Sequence, residues 1–248
     1  MGRKRELIWK GVRFGVWSLL ELVSPSLCPL CREKLFDFSP LCPVCLENFL
    51  VIGEACEFCG QPLFTGESRL TRCGNCRPVN PRADRTASLF FYDDALKEAI
   101  PLFKYRGHTR IGRVLARRMA ESLDTYPEMA ALDGIIPVPL HPARLRERGF
   151  NQSVILARAI SRRFDLPLLS NLVKKTGNVH SQVGLSRSER KRMIKGSFAV
   201  AKGESVKNGR FLVVDDVLTT GATSSEICKV LKKSGAAYLW FYSLARRC

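Results

Sequence analysis

Residues Phe211-Leu-Val-Val-Asp215-Asp216-Val-Leu-Thr219-Thr220-Gly221-Ala222-Thr223-Ser224 constrain the fold of this chain more than any other stretch. Four apolar residues in a row, three of them β-branched or aromatic, suit a strand buried on both faces. That is the position of a central strand in a parallel sheet covered by helices. Two carboxylates stand where the strand should end, and open α/β sheets bind ligands just outside the carboxyl ends of their strands. Thr219 to Thr223 then supply hydroxyls, a Gly able to take an unusual backbone angle, and the free N–H groups of an oncoming helix. Such a turn is a phosphate cradle. A ligand with hydroxyls for Asp215 and Asp216 at one end and a phosphate for the loop at the other is required, and a ribose 5-phosphate has that form. The acidic motif of a nucleoside triphosphatase is the competing reading, but it needs a phosphate loop with Gly-Lys, and that dipeptide occurs nowhere in the chain.

The same residues resemble, without a gap, the PRPP-binding motif of type I phosphoribosyltransferases. The resemblance implies an α/β domain whose parallel sheet is flanked by helices. It also implies a catalytic role for Asp215 and Asp216, which would hold the ribose hydroxyls and oppose the positive charge that develops on the ring. Thr219, Thr220, Gly221, Ala222 and Thr223 would bind the 5-phosphate, and Mg would arrive with the pyrophosphate of PRPP. Pro137-Val138-Pro139 and the basic loop after it resemble the pyrophosphate loop of the amidophosphoribosyltransferase branch. Thr176 to Arg192 resembles the flexible lid of that branch. By loop position, Arg144, Arg187 and Arg190 are the candidates for neutralising pyrophosphate. The run Arg148-Gly-Phe-Asn-Gln152 is similar to the ComF and GntX family, which implies a role near DNA uptake in competence. One departure is that residue 2 is Gly, where the ammonia-releasing domain of the amidophosphoribosyltransferase has a nucleophilic Cys after the initiator Met. That activity is therefore not implied, nor is any particular acceptor.

Cysteine is the second strong signal. Eight of the ten form Cys-x-x-Cys pairs: Cys28 and Cys31, Cys42 and Cys45, Cys56 and Cys59, Cys73 and Cys76. Each pair offers two thiolates from one knuckle, and two pairs complete a tetrahedral set, so the four pairs predict two structural zinc ions. An iron site with four sulfurs has the same ligand type. The short gaps, ten residues from Cys31 to Cys42 and thirteen from Cys59 to Cys73, suggest two successive ribbons and leave a crossed pairing open. Four protein ligands per metal leave no open position for catalysis. Disulfides would need an oxidising compartment, and no secretory signal is expected here because Lys10 and Arg13 interrupt the apolar run of the N-terminus. With the ribbons in front, the likeness to the ComF and GntX family extends from about Cys28 to the C-terminus.

These features divide the chain into an amphipathic helix over 1–27, a double zinc-ribbon module over 28–82 and a phosphoribosyltransferase-like domain over 83–248. The net charge of +17 sits mostly in the last segment, which holds 29 basic and 15 acidic residues. Such a field suits a sugar polyphosphate or a nucleic acid. The ribbons, nearly neutral once zinc is bound, suit a protein partner better. No stretch reaches the ~18 apolar residues of a membrane span, and a cytoplasmic location is expected. In the last segment the sequence predicts strands at Thr86 to Tyr92, Gly134 to Pro139 and Tyr238 to Leu244. Helices are predicted at Ala95 to Phe103, Ile111 to Leu123, after an Asn151 cap, and from Thr223 with a Thr223-x-x-Glu226 capping box. Lys104 to Arg110 reads as a loop, with Tyr105 and Phe150 as stacking surfaces. His141 and His180 read as polar surface rather than general bases. Two functions from different classes follow: a PRPP-dependent transferase, or a single-stranded DNA-binding or partner-bridging protein that keeps the PRPP pocket without turnover.

Overall fold

A computed structural model describes residues 26–35, 39–63, 72–74, 76, 83–105, 108–176, 194–201 and 206–248. The expected N-terminal helix, the lid-like segment with His180, Arg187 and Arg190, and the side chain of Tyr105 lie outside the described residues. The chain forms two units, 1–48 and 49–248. In the first, an antiparallel bridge between Leu27 and Lys34 closes a tight knuckle, with Cys28 N donating to Glu33 O and Arg32 N to Cys28 O, each at 2.8 Å. Cys42 then caps a short helix, α1 (Pro43–Glu47), its sulfur accepting from Cys45 N at 3.4 Å.

The larger unit runs β1 (Arg85–Phe91), α2 (Asp94–Tyr105), α3 (Thr109–Glu121), a 3-10 turn (Pro127–Ala131), β2 (Gly134–Pro137), α4 (Pro142–Arg148), α5 (Gln152–Phe164), β3 (Val173–Lys175), β4 (Phe198–Val200), β5 (Arg210–Leu218), α6 (Ala222–Lys233) and β6 (Tyr238–Arg246). The sheet has the order β1-β6-β5-β2, and every pairing in it is parallel. β3 and β4 form a separate antiparallel ribbon. As the apolar run predicts, β5 is internal, and Leu212, Val213 and Val214 are fully buried. Side chains alternate across a strand. Phe211 and Val213 accordingly join Ile136, Leu239 and Phe241 in a core closed by Ile227 and Leu231 of α6. On β2 and β5 also lies α5, which packs in turn on α3.

Two local expectations are corrected. Lys104 and Tyr105 are the last turn of α2 rather than loop, although Pro101 lies inside that helix. The capping box at α6 does not form. Gly221, with φ of +74°, is the N-cap, which places Thr223 inside the first turn. Glu226 turns inward instead, accepting from Gly196 N at 2.9 Å and pairing with Lys229 Nζ at 3.1 Å.

Residues 50–63 lie along β1, since Ile52 N donates to Leu89 O at 2.8 Å and Phe91 N to Leu50 O at 2.9 Å. Behind that segment Ala55 and Pro62 bridge around Gly60, whose φ of +69° closes the second cysteine knuckle. The second knuckle is therefore part of the sheet's own unit.

Candidate functional site

At the carboxyl end of β5, Asp215 and Asp216 point away from each other, as neighbours in a strand must. Asp216 is buried, and its Oδ2 lies 2.5 Å from Lys104 Nζ at the end of α2. Burial alone would lower the Lys104 ammonium, but the Asp216 carboxylate outweighs it and holds the group above the ordinary lysine range. Asp215 is half-buried and accepts from Ser153 Oγ at 3.0 Å and from Asp216 N at 2.9 Å. Burial, and then the neighbouring Asp216 charge, push Asp215 up to about 7. Lys175 of β3 stands within electrostatic reach. Its own burial lowers its pKa, Asp215 partly offsets this, and Arg144 adds to it.

β5 runs two residues past the pair, through Val217 and Leu218, and then turns at Thr219, Thr220 and Gly221 into α6. The first N–H groups of a helix have no partner within it, and they carry the positive end of its dipole. Thr220 Oγ1 accepts from Ala222 N at 3.4 Å, and Ser224 Oγ donates to Gly221 O at 3.0 Å. Thr219 is exposed, and Thr220 to Thr223 are half-buried. The loop therefore offers hydroxyls and amides beside a carboxylate, the arrangement needed to hold a sugar by its hydroxyls and its phosphate together.

The run Arg148 to Ser153 explains how Ser153 reaches the acid pair. Gly149, at φ of +77°, ends α4. Phe150 then stacks on Phe103, with ring centroids 5.9 Å apart, so it is a packing residue and not an open stacking surface. Asn151 caps α5, accepting from Ser153 N at 2.9 Å, while its Nδ2 donates to Val138 O at 3.0 Å. Gln152 Oε1 receives Arg148 Nη1 at 2.7 Å. One motif thus ties the end of β2, the α4–α5 corner and the acid pair together.

The structure brings together Asp215, Asp216 and Thr219 to Thr223. Arg144 lies on α4, paired with Glu147 at 2.9 Å and close enough to influence Lys175. His141 caps that helix through Nδ1, accepting from Ala143 N at 3.1 Å. Lys104, Ser153 and Lys175 escape the sequence reading. The run Arg148 to Gln152 was the available signal for Ser153, its next neighbour. Nothing local marks Lys104 or Lys175, because their partner Asp residues are distant in sequence.

The eight paired cysteines form two clusters, Cys28, Cys31, Cys42 and Cys45, then Cys56, Cys59, Cys73 and Cys76, with all sulfurs in each within 4.8 Å of one another. This selects successive over crossed pairing. Cys31 and Cys42 sulfurs are 3.5 Å apart, and those of Cys59 and Cys73 are 3.7 Å apart. A tetrahedron with Zn–S bonds of ~2.3 Å has edges of about 3.8 Å, so both donor sets fit zinc. Burial opposes ionisation at Cys28 and Cys56, yet backbone N–H groups hold each thiol down to about 7. Among the described residues no helix is long and apolar enough to cross a membrane.

Comparison with known proteins agrees with this arrangement. The profile of the phosphoribosyl transferase domain matches residues 151–247, and that of the double zinc ribbon domain matches 19–77. The chain is similar to Competence protein F of Haemophilus influenzae, with 35% identity over 76% of this chain and 82% of the relative. It is 32% identical to DNA utilization protein YhgH of Escherichia coli K12, over 91% of this chain and 99% of that one. Competence protein ComFC of Bacillus subtilis is 25% identical over 89% and 85% of the two chains.

Proposed function

From the premise that the chain belongs to the ComF family, we propose that it binds PRPP with Mg and passes the phosphoribosyl group to an acceptor, in the service of DNA uptake. The observation that carries this reading is the sequence of groups along one path: Lys104 and Asp216, Asp215 with Ser153, then the Thr219–Gly221 turn into α6. Asp215 and Asp216 take the ribose hydroxyls, and Thr219, Thr220, Gly221, Ala222 and Thr223 take the 5-phosphate. Arg144, Arg187 and Arg190 are assigned to neutralising the pyrophosphate, whose Mg is held by the ligand and water more than by a protein cage. Bound zinc, one ion in each cysteine cluster, supplies folding energy. Catalysis here consists of holding the sugar and stabilising the departing pyrophosphate.

Calorimetric titration of PRPP with Mg tests the binding. Changing both Asp215 and Asp216 to Asn should abolish measurable affinity, and unchanged affinity would refute the site. Release of pyrophosphate from PRPP, screened against nucleobases, amines and DNA, tests the transfer. A second reading, single-stranded DNA binding without turnover, draws on the excess of basic residues in 83–248 and on exposed Arg158 and Arg162 of α5. PRPP binding without pyrophosphate release for any acceptor, joined to salt-sensitive DNA affinity, would favour it.

A further inference from the structure

The second cysteine knuckle and the phosphate loop meet on one residue, Arg246, the last of β6. On the knuckle side, its Nη1 donates to Cys59 O at 2.5 Å and its Nη2 to Gln61 Oε1 at 3.1 Å. Its Nε is buried and among the described residues has no hydrogen-bond partner, while the two outer nitrogens are held by these acceptors. On the loop side, Arg246 is the register partner of Leu218, and Arg247 N donates to Leu218 O at 2.9 Å, one residue before Thr219. The backbone of Arg246 also accepts from Tyr92 N at 2.8 Å, and Thr86 N donates to Glu57 O at 2.5 Å. The knuckle is thus fastened to β1 and β6 at both ends of one short path.

We infer that Arg246 is a positioning residue through which metal in the Cys56, Cys59, Cys73, Cys76 cluster sets the geometry of the Leu218–Ala222 turn, so that loss of that metal loosens the phosphate site. The inference deepens the proposed function and rests on reading the turn as a phosphate cradle. Physically, four thiolates on one ion fix where the Cys59 carbonyl and the Gln61 side chain stand. Without the ion these acceptors wander, the guanidinium loses its partners, and the end of β6 no longer holds its register beside Leu218. The site would then sense zinc through the second cluster.

The test uses the full zinc-loaded chain and three variants: Cys73→Ser, Arg246→Gln and, as a control for losing zinc elsewhere, Cys31→Ser. Amide hydrogen exchange is followed at Arg247 and Ser225, which are bonded to the carbonyls of Leu218 and Gly221. Exchange at both should quicken about tenfold in Cys73→Ser and Arg246→Gln, in the range usual for coupled sites, and stay unchanged in Cys31→Ser. Zinc should also bind the second cluster of Arg246→Gln about tenfold more weakly, the loss usual when outer-shell partners are removed. By reciprocity, saturating PRPP should tighten zinc binding at that cluster in the parent protein by the factor by which zinc strengthens PRPP binding. Arg246→Gln covers the case in which Cys73→Ser does not fold. Unchanged exchange in Arg246→Gln, or equal quickening in Cys31→Ser, overturns the inference. Failure of the zinc-loaded parent to bind PRPP overturns the proposed function instead, and the exchange data still decide the linkage.

Discussion

Two adjacent aspartates share one strand end yet have different surroundings. Asp215 is pushed up to about 7 from an ordinary 3.8, so between these values the folded chain keeps a proton that the unfolded chain has released. Its contribution to stability is therefore complete below about pH 4 and is lost as pH rises through about 7. Urea unfolding at acidic and neutral pH should show stability falling across that window, and Asp215→Asn should flatten the fall. Lys104 and Asp216 test a different term. Both side chains are well enclosed, at 19% and 7% exposure, so Lys104→Met leaves a buried carboxylate without its cation. A loss of roughly 3 kcal/mol is expected from urea melts, largely recovered when Asp216→Asn is added. The aspartates were legible because their chemistry and their place after an apolar run occur together in fourteen residues. Lys104 was not, because its meaning depends on an ion pair made across 112 positions of chain.

Elements position the site through their ends. Asn151→Ala removes both the cap of α5 and the bond to Val138 O, and should cost about 1 to 2 kcal/mol in thermal or urea unfolding. It should also weaken PRPP binding, because Ser153 follows the cap. Gly221 isolates a backbone effect. A Cβ there would meet only Ser224 Oγ, at 3.6 Å, but φ is +74°. Gly221→Ala should therefore cost about 1 to 2 kcal/mol through conformation alone, with weaker PRPP binding seen by calorimetry. The caps show how far local pattern reaches. Asn151 was read correctly because a cap acts within three residues. The box at Thr223 and Glu226 was not, because the helix starts from Gly221 instead and Gly196, 30 positions away in the chain, takes the carboxylate.

At the scale of the molecule, the two cysteine clusters fall in different units, the first within 1–48 and the second within 49–248. Metal analysis of protein purified without added metal should give two zinc per chain, since each cluster supplies four sulfurs. One ion or none would refute two ribbons. By itself the sequence determined the central strand, the acid pair, the Thr219–Gly221 turn and the eight cysteines of the two clusters. Each of these is written in contiguous residues whose chemistry has few other uses. Tertiary structure alone decided that cysteine pairs are successive rather than crossed, that Asp216 meets Lys104 while Asp215 meets Ser153, and that the second knuckle rests on Arg246, the register partner of Leu218. Those pairings join residues far apart in the chain, so they are set by how strands and helices pack and not by any local preference.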